Sequence, residues 1–250
     1  MKRSLHTEMN KVRILDCCSG TQSIERWVET HKLSDRVEVI SVDIATVLGK
    51  LPTHLADITT WDYKAAYPVG HFDIVWASPP CTQYSVARST GPPRDLVGAD
   101  KIVQRCLDII DHFKPKVWVV ENPAWGLLRG RPVVQGLPSV ICSYCQYGMT
   151  YRKDTRFWTN LAYDEPEKRN GFPKLQVKRC DPKTCPAMIN GIRHKHRLSG
   201  EYSQKPTGAT KWTIGKVPTP LLNDMLGGIV QTLYPDPSPV LTQGGVLDFL

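Results

Sequence analysis

Phe72-Asp73-Ile74-Val75-Trp76-Ala77-Ser78-Pro79-Pro80-Cys81 is the stretch that decides the fold. Its first six residues are rich in β-formers and read as a buried strand. The two prolines lack the amide donors that a parallel ladder needs. The chain therefore leaves the sheet at its carboxyl edge, with Cys81 just beyond. In open α/β sheets that edge is where ligands bind. A thiol presented there is a candidate nucleophile. Taken alone, a cysteine after a strand reads equally as a small buried side chain.

A second stretch, Lys116-Val117-Trp118-Val119-Val120-Glu121-Asn122-Pro123, repeats the pattern about 40 residues on. Again an apolar strand ends in polar residues and a proline. If the two strands are neighbours, Glu121 emerges at the same edge as Cys81. A thiol and a carboxyl facing one cleft can attack a ring and protonate it. By itself Glu121 reads as a solvated or helix-starting carboxylate, so the pair is more specific than either half.

Pro80-Cys81 and Glu121-Asn122-Pro123-Ala124-Trp125-Gly126-Leu127 stand in the order and spacing found in the C5-cytosine DNA methyltransferases, and the chain resembles that family. The form Ser78-Pro79-Pro80-Cys81-Thr82-Gln83-Tyr84-Ser85 is most similar to short viral or phage members. The resemblance implies an α/β fold, a Rossmann-like sheet of seven mostly parallel strands with helices on both faces, plus a small irregular basic lobe. It also implies S-adenosyl-L-methionine (SAM) as cofactor and DNA as substrate.

Composition agrees with one large α/β unit and a small lobe. The chain has 250 residues, 41% of them hydrophobic and 8% aromatic, enough for a real core. No run of about 18 apolar residues occurs, so no membrane span is expected. Lys2 and Arg3 are not followed by an apolar signal core, so the expected location is cytoplasmic, or the host cytoplasm, nucleoid or nucleus for a viral member. Eight cysteines in such a chain are expected to be reduced rather than a disulfide framework. The net charge is +8, and it is localised. Between Tyr151 and Lys216 there are 15 basic and 6 acidic residues, whereas the rest of the chain holds 17 and 18. So concentrated an excess favours a polyanionic nucleic-acid partner over a merely solvated surface. A monomer is expected.

Val12-Arg13-Ile14-Leu15-Asp16 reads as the first strand, and Met1 to Asn10 as a frayed leader. Cys17-Cys18-Ser19-Gly20-Thr21-Gln22-Ser23 is a small-residue turn into a helix, Ile24 to Thr30. Such a turn permits close backbone approach to a ligand. Asp16-Cys17-Cys18-Ser19-Gly20 resembles the family's cofactor turn, with Gln22 and Ser23 in place of its later glycines. Val37 to Val42 is the second strand and ends in Asp43, a position suited to two ribose hydroxyls. By resemblance, Asp57 accepts from the adenine amino group and Ile58 flanks the ring; Asp57 also suits a helix cap with Thr59 and Thr60. The cofactor set that the resemblance implies is Asp16, Cys18, Ser19, Gly20, Thr21, Gln22, Asp43, Ile44, Asp57, Ile58, Ser78, Pro80 and Val217.

Thr82 to Val97 is polar, rich in breakers and long for such a connection, a candidate lid. Arg88 and Arg94 within it face either phosphate or solvent. Ala99 to Phe113 has helical apolar spacing, with Cys106 on the core stripe, and Pro115 ends it. Val140 to Tyr144 reads as a further strand. Beyond it, Gly148 to Trp158 stands where the family has Gln-x-Arg-x-Arg. Arg156, or Arg152 instead, is the expected catalytic arginine alongside Cys81 and Glu121.

Cys142, Cys145, Cys180 and Cys185, with His194 and His196 nearby, have the residue types of a zinc site. On a strand, however, Cys142 and Cys145 would point to opposite faces. Separate free thiols are the expectation and no metal is assigned. Trp212 to Leu221 resembles the family's last motif, with Lys216 in place of Asn, and leads into an apolar helix, Leu222 to Leu233. The expected organisation is a SAM-binding catalytic domain over 11–159, a basic recognition region over 160–213, a returning helix over 214–233 and a tail over 234–250.

The function these residues imply is transfer of a methyl group from SAM to C5 of a flipped-out cytosine through a covalent cysteine adduct. Three alternatives compete. A cytosine-5 methyltransferase acting on RNA uses the same groups. An amino-methyltransferase on DNA needs no thiol, so Cys81 and Glu121 argue against it. A non-catalytic nucleic-acid-binding protein would need neither.

Overall fold

Apolar residues alternate along the central strands, and each parity faces its own core. In the computed structural model, which describes residues 11–88, 90–161, 171–196, 198 and 215–235, Ile14, Ile74, Trp76, Val117, Val119 and Phe157 face one layer. Leu15, Val75, Ala77, Val120 and Trp158 face the other. A sheet buried on both sides needs such near-continuous hydrophobic runs. The strands are β1 (Val12–Cys17), β2 (Val37–Asp43), β3 (His54–Leu55), β4 (Ile74–Ala77), β5 (Val117–Pro123), β6 (Ser139–Ser143) and β7 (Asp154–Thr159). Their order is β3-β2-β1-β4-β5-β7-β6. All pairings from β3 to β5 are parallel, and β7 runs antiparallel to both of its neighbours. The expected seven-stranded, mostly parallel α/β architecture is the one observed.

On the first face lie α1 (Ser23–Thr30), with Trp27 wholly buried, and the C-terminal segment. That segment is α4 (Thr219–Leu222), a π-turn (Asn223–Gly227) and α5 (Gly228–Leu233) in unbroken succession. It begins three residues before the Leu222 expected from apolar spacing. Pro220 is tolerated there because amides of the first turn have no partner within the helix. On the second face lie α2 (Tyr63–Ala66) and α3 (Leu96–Phe113). α3 also starts earlier than its apolar stripe, because the Asp95 carboxylate caps it by accepting from Gly98 N–H at 2.7 Å.

The strand expected over Val140 to Tyr144 ends at Ser143, and Tyr144–Tyr147 form a 3-10 turn. Cys142 and Cys145 thus stand on different elements. Of the basic region, residues 171–180 run beside this turn, with Phe172 and Leu175 buried in the first-face core. Ser143 N–H donates to Lys178 O at 3.0 Å. A short hairpin follows, β8 (Met188–Ile189) and β9 (Arg193–His194). The expected leader over 1–10, most of the expected tail, and 162–170 and 199–214 of the recognition region and returning segment lie outside the described residues. Tyr234, where the tail was expected to begin, is packed beneath the Arg36 guanidinium.

Candidate active site

Parallel pairing of β4 with β5, in register Ala77 to Val120, brings the two sequence stretches side by side. Cys81 and Glu121 emerge at one sheet edge and border one cavity of about 320 Å³, within the usual range for small-molecule sites of roughly 300–1,000 Å³. Each is held by the backbone around it. Asn122 Nδ2 donates to Pro79 O at 2.9 Å, tying the end of β5 to the double-proline turn. Ser78 N–H donates to Cys17 O at 2.9 Å, and Trp76 Nε1 donates to Ser78 Oγ at 3.0 Å. Tyr84 and Ser85 N–H both donate to Cys81 O, closing a turn immediately after the thiol. Asn122 thus has a positioning role that its neighbour Glu121 overshadowed in the sequence.

The loop after Cys81 is built from internal contacts. Arg94 donates to the carbonyls of Gln83, Ser85 and Arg88. Arg88 donates to Gln83 Oε1 and Pro92 O. These two arginines, expected to face phosphate or solvent, are spent on acceptors within the loop.

The opposite wall of the cavity is the turn between β1 and α1. Cys18, Gly20 and Gln22 have φ of 56°, 51° and 52°. These alternating left-handed residues fold the turn tightly, with Ser19 N–H donating to Val42 O at 3.2 Å and Gln22 N–H to Ser19 O at 2.8 Å. Asp43 stabilises the turn, its carboxylate accepting Gly20 N–H at 2.8 Å and Ala45 N–H at 3.0 Å. Asp16, Cys18, Ser19, Gly20, Thr21, Asp43, Ile44, Ser78, Pro80 and Val217 all border the cavity. Ile44 stands 69% exposed at its rim. Burial, then the nearby charges of Glu25 and Asp43, push the Asp16 carboxyl well above the usual range. Val217 N–H donates to Ser23 Oγ at 3.2 Å, which seats the C-terminal motif on the start of α1.

Three expected cofactor residues lie elsewhere. Gln22 is buried as the left-handed cap of α1. Asp57 is exposed and accepts from the hydroxyl and N–H of Thr59, which hold its carboxyl below the usual carboxylate range. It serves as the turn cap that its neighbours permitted. Ile58 is buried in the second-face core.

The expected arginines are also placed away from the cavity. Arg152 pairs with Asp154 at 2.7 Å. Arg156 donates to Ser139 Oγ at 2.6 Å and lies over the Trp158 ring. Among the described residues, the cation on the cavity wall is Lys153. Its Nζ is 3.6 Å from Glu121 Oε1 and 4.7 Å from the Tyr144 ring centroid. Tyr144 Oη in turn donates to Glu121 Oε1 at 3.3 Å. The family resemblance points to arginine here, and nothing in the sequence marks the lysine between the two. Burial foremost, then the Glu121 charge, raises the Cys81 thiol, while Lys153 and the residue's own amide draw it back down.

Residues 48–127, which span the double-proline turn and the Glu121 strand, match the family model "C-5 cytosine-specific DNA methylase". The "Probable DNA (cytosine-5)-methyltransferase" of Frog virus 3 (isolate Goorha) is 32% identical over 231 residues, covering 86% of this chain and 99% of that protein. Among solved structures, Entamoeba histolytica methyltransferase EhMeth aligns with a TM-score of 0.45 and 14% identity over 69% of this chain and 57% of its own. The Schizosaccharomyces pombe Dnmt2 methyltransferase aligns with a TM-score of 0.44 and 16% identity over 75% and 58%. The chain therefore spans a little over half the length of these solved structures. With the viral relative matched along almost its entire length, the chain belongs to the C-5 cytosine-specific DNA methylase family and is a methyltransferase of that kind.

Proposed function

We propose that the cavity seats SAM against the β1–α1 turn and a cytosine extruded from DNA against Cys81, Glu121 and Lys153. The turn suits the cofactor on its own features. Ser19 Oγ is buried with no hydrogen-bond partner among the described residues, so it is a donor awaiting an acceptor. Gly20 leaves its backbone open, with only Cys18 O within 4 Å of where a Cβ would stand. Asp16 offers a carboxyl to a ligand amine, Asp43 has lone pairs left for ribose hydroxyls, and exposed Ile44 can cover an adenine face. When bound, SAM supplies the electrophilic methyl group that C5 takes.

The chain's own residues prepare C5 for that step. Cys81 thiolate adds to C6, and the displaced electron pair moves into the ring and makes C5 enamine-like. A proton shared between the Glu121 carboxyl and N3 offsets the negative charge that this addition places on the ring. Lys153 holds Glu121 in place and favours the Cys81 anion. Loss of the C5 proton then restores the double bond and expels Cys81. The base must leave its stack, which costs a few kcal/mol, and the basic residues after Tyr151 supply the phosphate contacts. The single observation that carries this reading is the shared cavity of Cys81, Glu121 and the glycine turn.

Cytosine-containing duplex DNA incubated with the protein and SAM, then digested to nucleosides, should yield 5-methylcytosine. Cys81→Ala should lower turnover on the order of 10⁴-fold or more while SAM still binds. Undiminished turnover by that variant, or label on an exocyclic nitrogen, would end the assignment.

A further inference from the structure

Away from the cavity, four side chains from separate pieces of backbone converge. Cys145 comes from the 3-10 turn after β6, Cys180 from the end of the extended segment, Cys185 from the next turn and His194 from β9. One donor atom from each lies within 4.8 Å of all the others. His194 Nε2 is 3.3 Å from Cys180 Sγ and 3.5 Å from Cys185 Sγ. Zinc bonded tetrahedrally to sulfur at about 2.3 Å and nitrogen at about 2.0 Å holds its donors about 3.5–3.8 Å apart. The two His194 contacts already match that spacing, and separations of up to 4.8 Å among the four donors close around a single ion with shifts of about an ångström or less. Neither Cys142 nor His196 joins the set. Cys142 is buried in the first-face core, and His196 Nδ1 contacts Thr150 Oγ1 at 2.8 Å.

We infer that Cys145, Cys180, Cys185 and His194 form a closed, structural zinc site that fastens the basic segment to the catalytic sheet. Three soft thiols and an imidazole select zinc over magnesium or calcium. Four protein donors leave no open position for a substrate, as structural sites require, and none of the four borders the catalytic cavity. The segment over 171–196 also has reason to need an ion. Its strands are two residues each, and of its side chains only Phe172, Leu175 and Cys185 are buried apolar groups. A piece with so little core is commonly held by a metal or disulfide, and all eight cysteines are free thiols.

The surroundings fit the charge of such a site. As zinc enters, three thiols each release a proton to solvent, leaving three thiolates, a neutral imidazole and a net charge of −1. Cys180 N–H donates to Ser143 Oγ at 2.9 Å, fixing that ligand to the end of β6. Arg152 lies close enough to Cys145 and Cys180 to interact with their charge, which gives this arginine a task distinct from catalysis.

The test uses the full chain, purified reduced from zinc-supplemented medium. Elemental analysis should find one zinc per chain. After exchange, cobalt(II) should show the visible absorption and sulfur-to-metal charge-transfer band of a tetrahedral, thiolate-rich site. Cys185→Ser should lose the ion, His194→Cys should keep it with an altered cobalt spectrum, and Cys142→Ser should keep it unchanged. Should Cys185→Ser fail to fold, cobalt titration of the wild-type chain decides the matter. Sub-stoichiometric zinc together with no charge-transfer band, a disulfide among Cys145, Cys180 and Cys185 in its place, or loss of the ion in Cys142→Ser but not in Cys185→Ser, would overturn the inference. Because the four donors stand outside the cavity, this outcome is independent of the methyl-transfer assay.

Discussion

At Cys81 the balance of three neighbours decides reactivity. Burial and the Glu121 charge disfavour the thiolate, and Lys153 favours it. Neutralising Glu121 should therefore lower the thiol's pKa, and removing the lysine charge should raise it further. Alkylation of Cys81 by iodoacetamide at neutral pH, followed by peptide mapping, should be several-fold faster in Glu121→Gln and several-fold slower in Lys153→Met. Equal rates in both variants would dissociate these groups from the thiol. The sign also fixes the pH profile of the wild-type protein. With the thiol raised above its ordinary value of 9.0, alkylation should climb by about one log unit per pH unit between about pH 7 and pH 9, with no plateau in that interval. Cys81 and Glu121 were legible because a proline punctuates each strand end. Lys153 was not, because a lysine in a basic stretch carries no mark of the carboxylate it will meet across β5 and β7.

Among the elements, the connection between β4 and α3 fixes where the thiol stands. Leu127 N–H donates to Tyr84 O at 2.8 Å, and a Cβ on Gly126 would lie 3.2 Å from that oxygen and 3.3 Å from Pro123 O. Both neighbours are backbone atoms, so a side chain at 126 would push the segment after β5 and the Cys81 loop apart by a few tenths of an ångström. Tyr84 is itself anchored through its hydroxyl to Asp100 at 2.8 Å, and Asp100 is clasped by Arg131. Gly126→Ala should cost about 1 kcal/mol of stability by overpacking. It should also lower turnover about tenfold by displacing the thiol, while SAM affinity, read by calorimetry, stays unchanged. Wild-type turnover in this variant would show that the Cys81 loop tolerates the shift. The identities of the long helices and central strands followed from periodicity, but their ends, and short elements such as β3 and α2, did not. α3 begins at Leu96 because of a cap, and β6 stops at Ser143 because the chain turns toward residues that lie far along the sequence.

Over the whole molecule, charge and chemistry are segregated. Lys178, Arg179, Lys183, Arg193 and Lys195 all lie on the segment that packs beside the β6 edge, while the acidic side chains Asp16 and Asp43 border the cavity. Binding of DNA by such a segment releases counterions. Affinity should fall on the order of tenfold or more between about 50 and 200 mM salt, measured by fluorescence anisotropy, whereas SAM binding should change little. A flat salt response would remove the basic segment from the DNA-contacting surface. Local pattern was enough to determine the alternating sheet, the two strand ends and the pair of groups they present, because strand period and proline chemistry act over a few residues. Only the tertiary structure decided which cation faces Glu121, that Asp57 and Ile58 are not among the residues bordering the cavity, and that Cys145 rather than Cys142 meets Cys180, Cys185 and His194. Those outcomes depend on contacts between residues distant in the chain, where packing and register, not the identity of the neighbouring residue, set the distance.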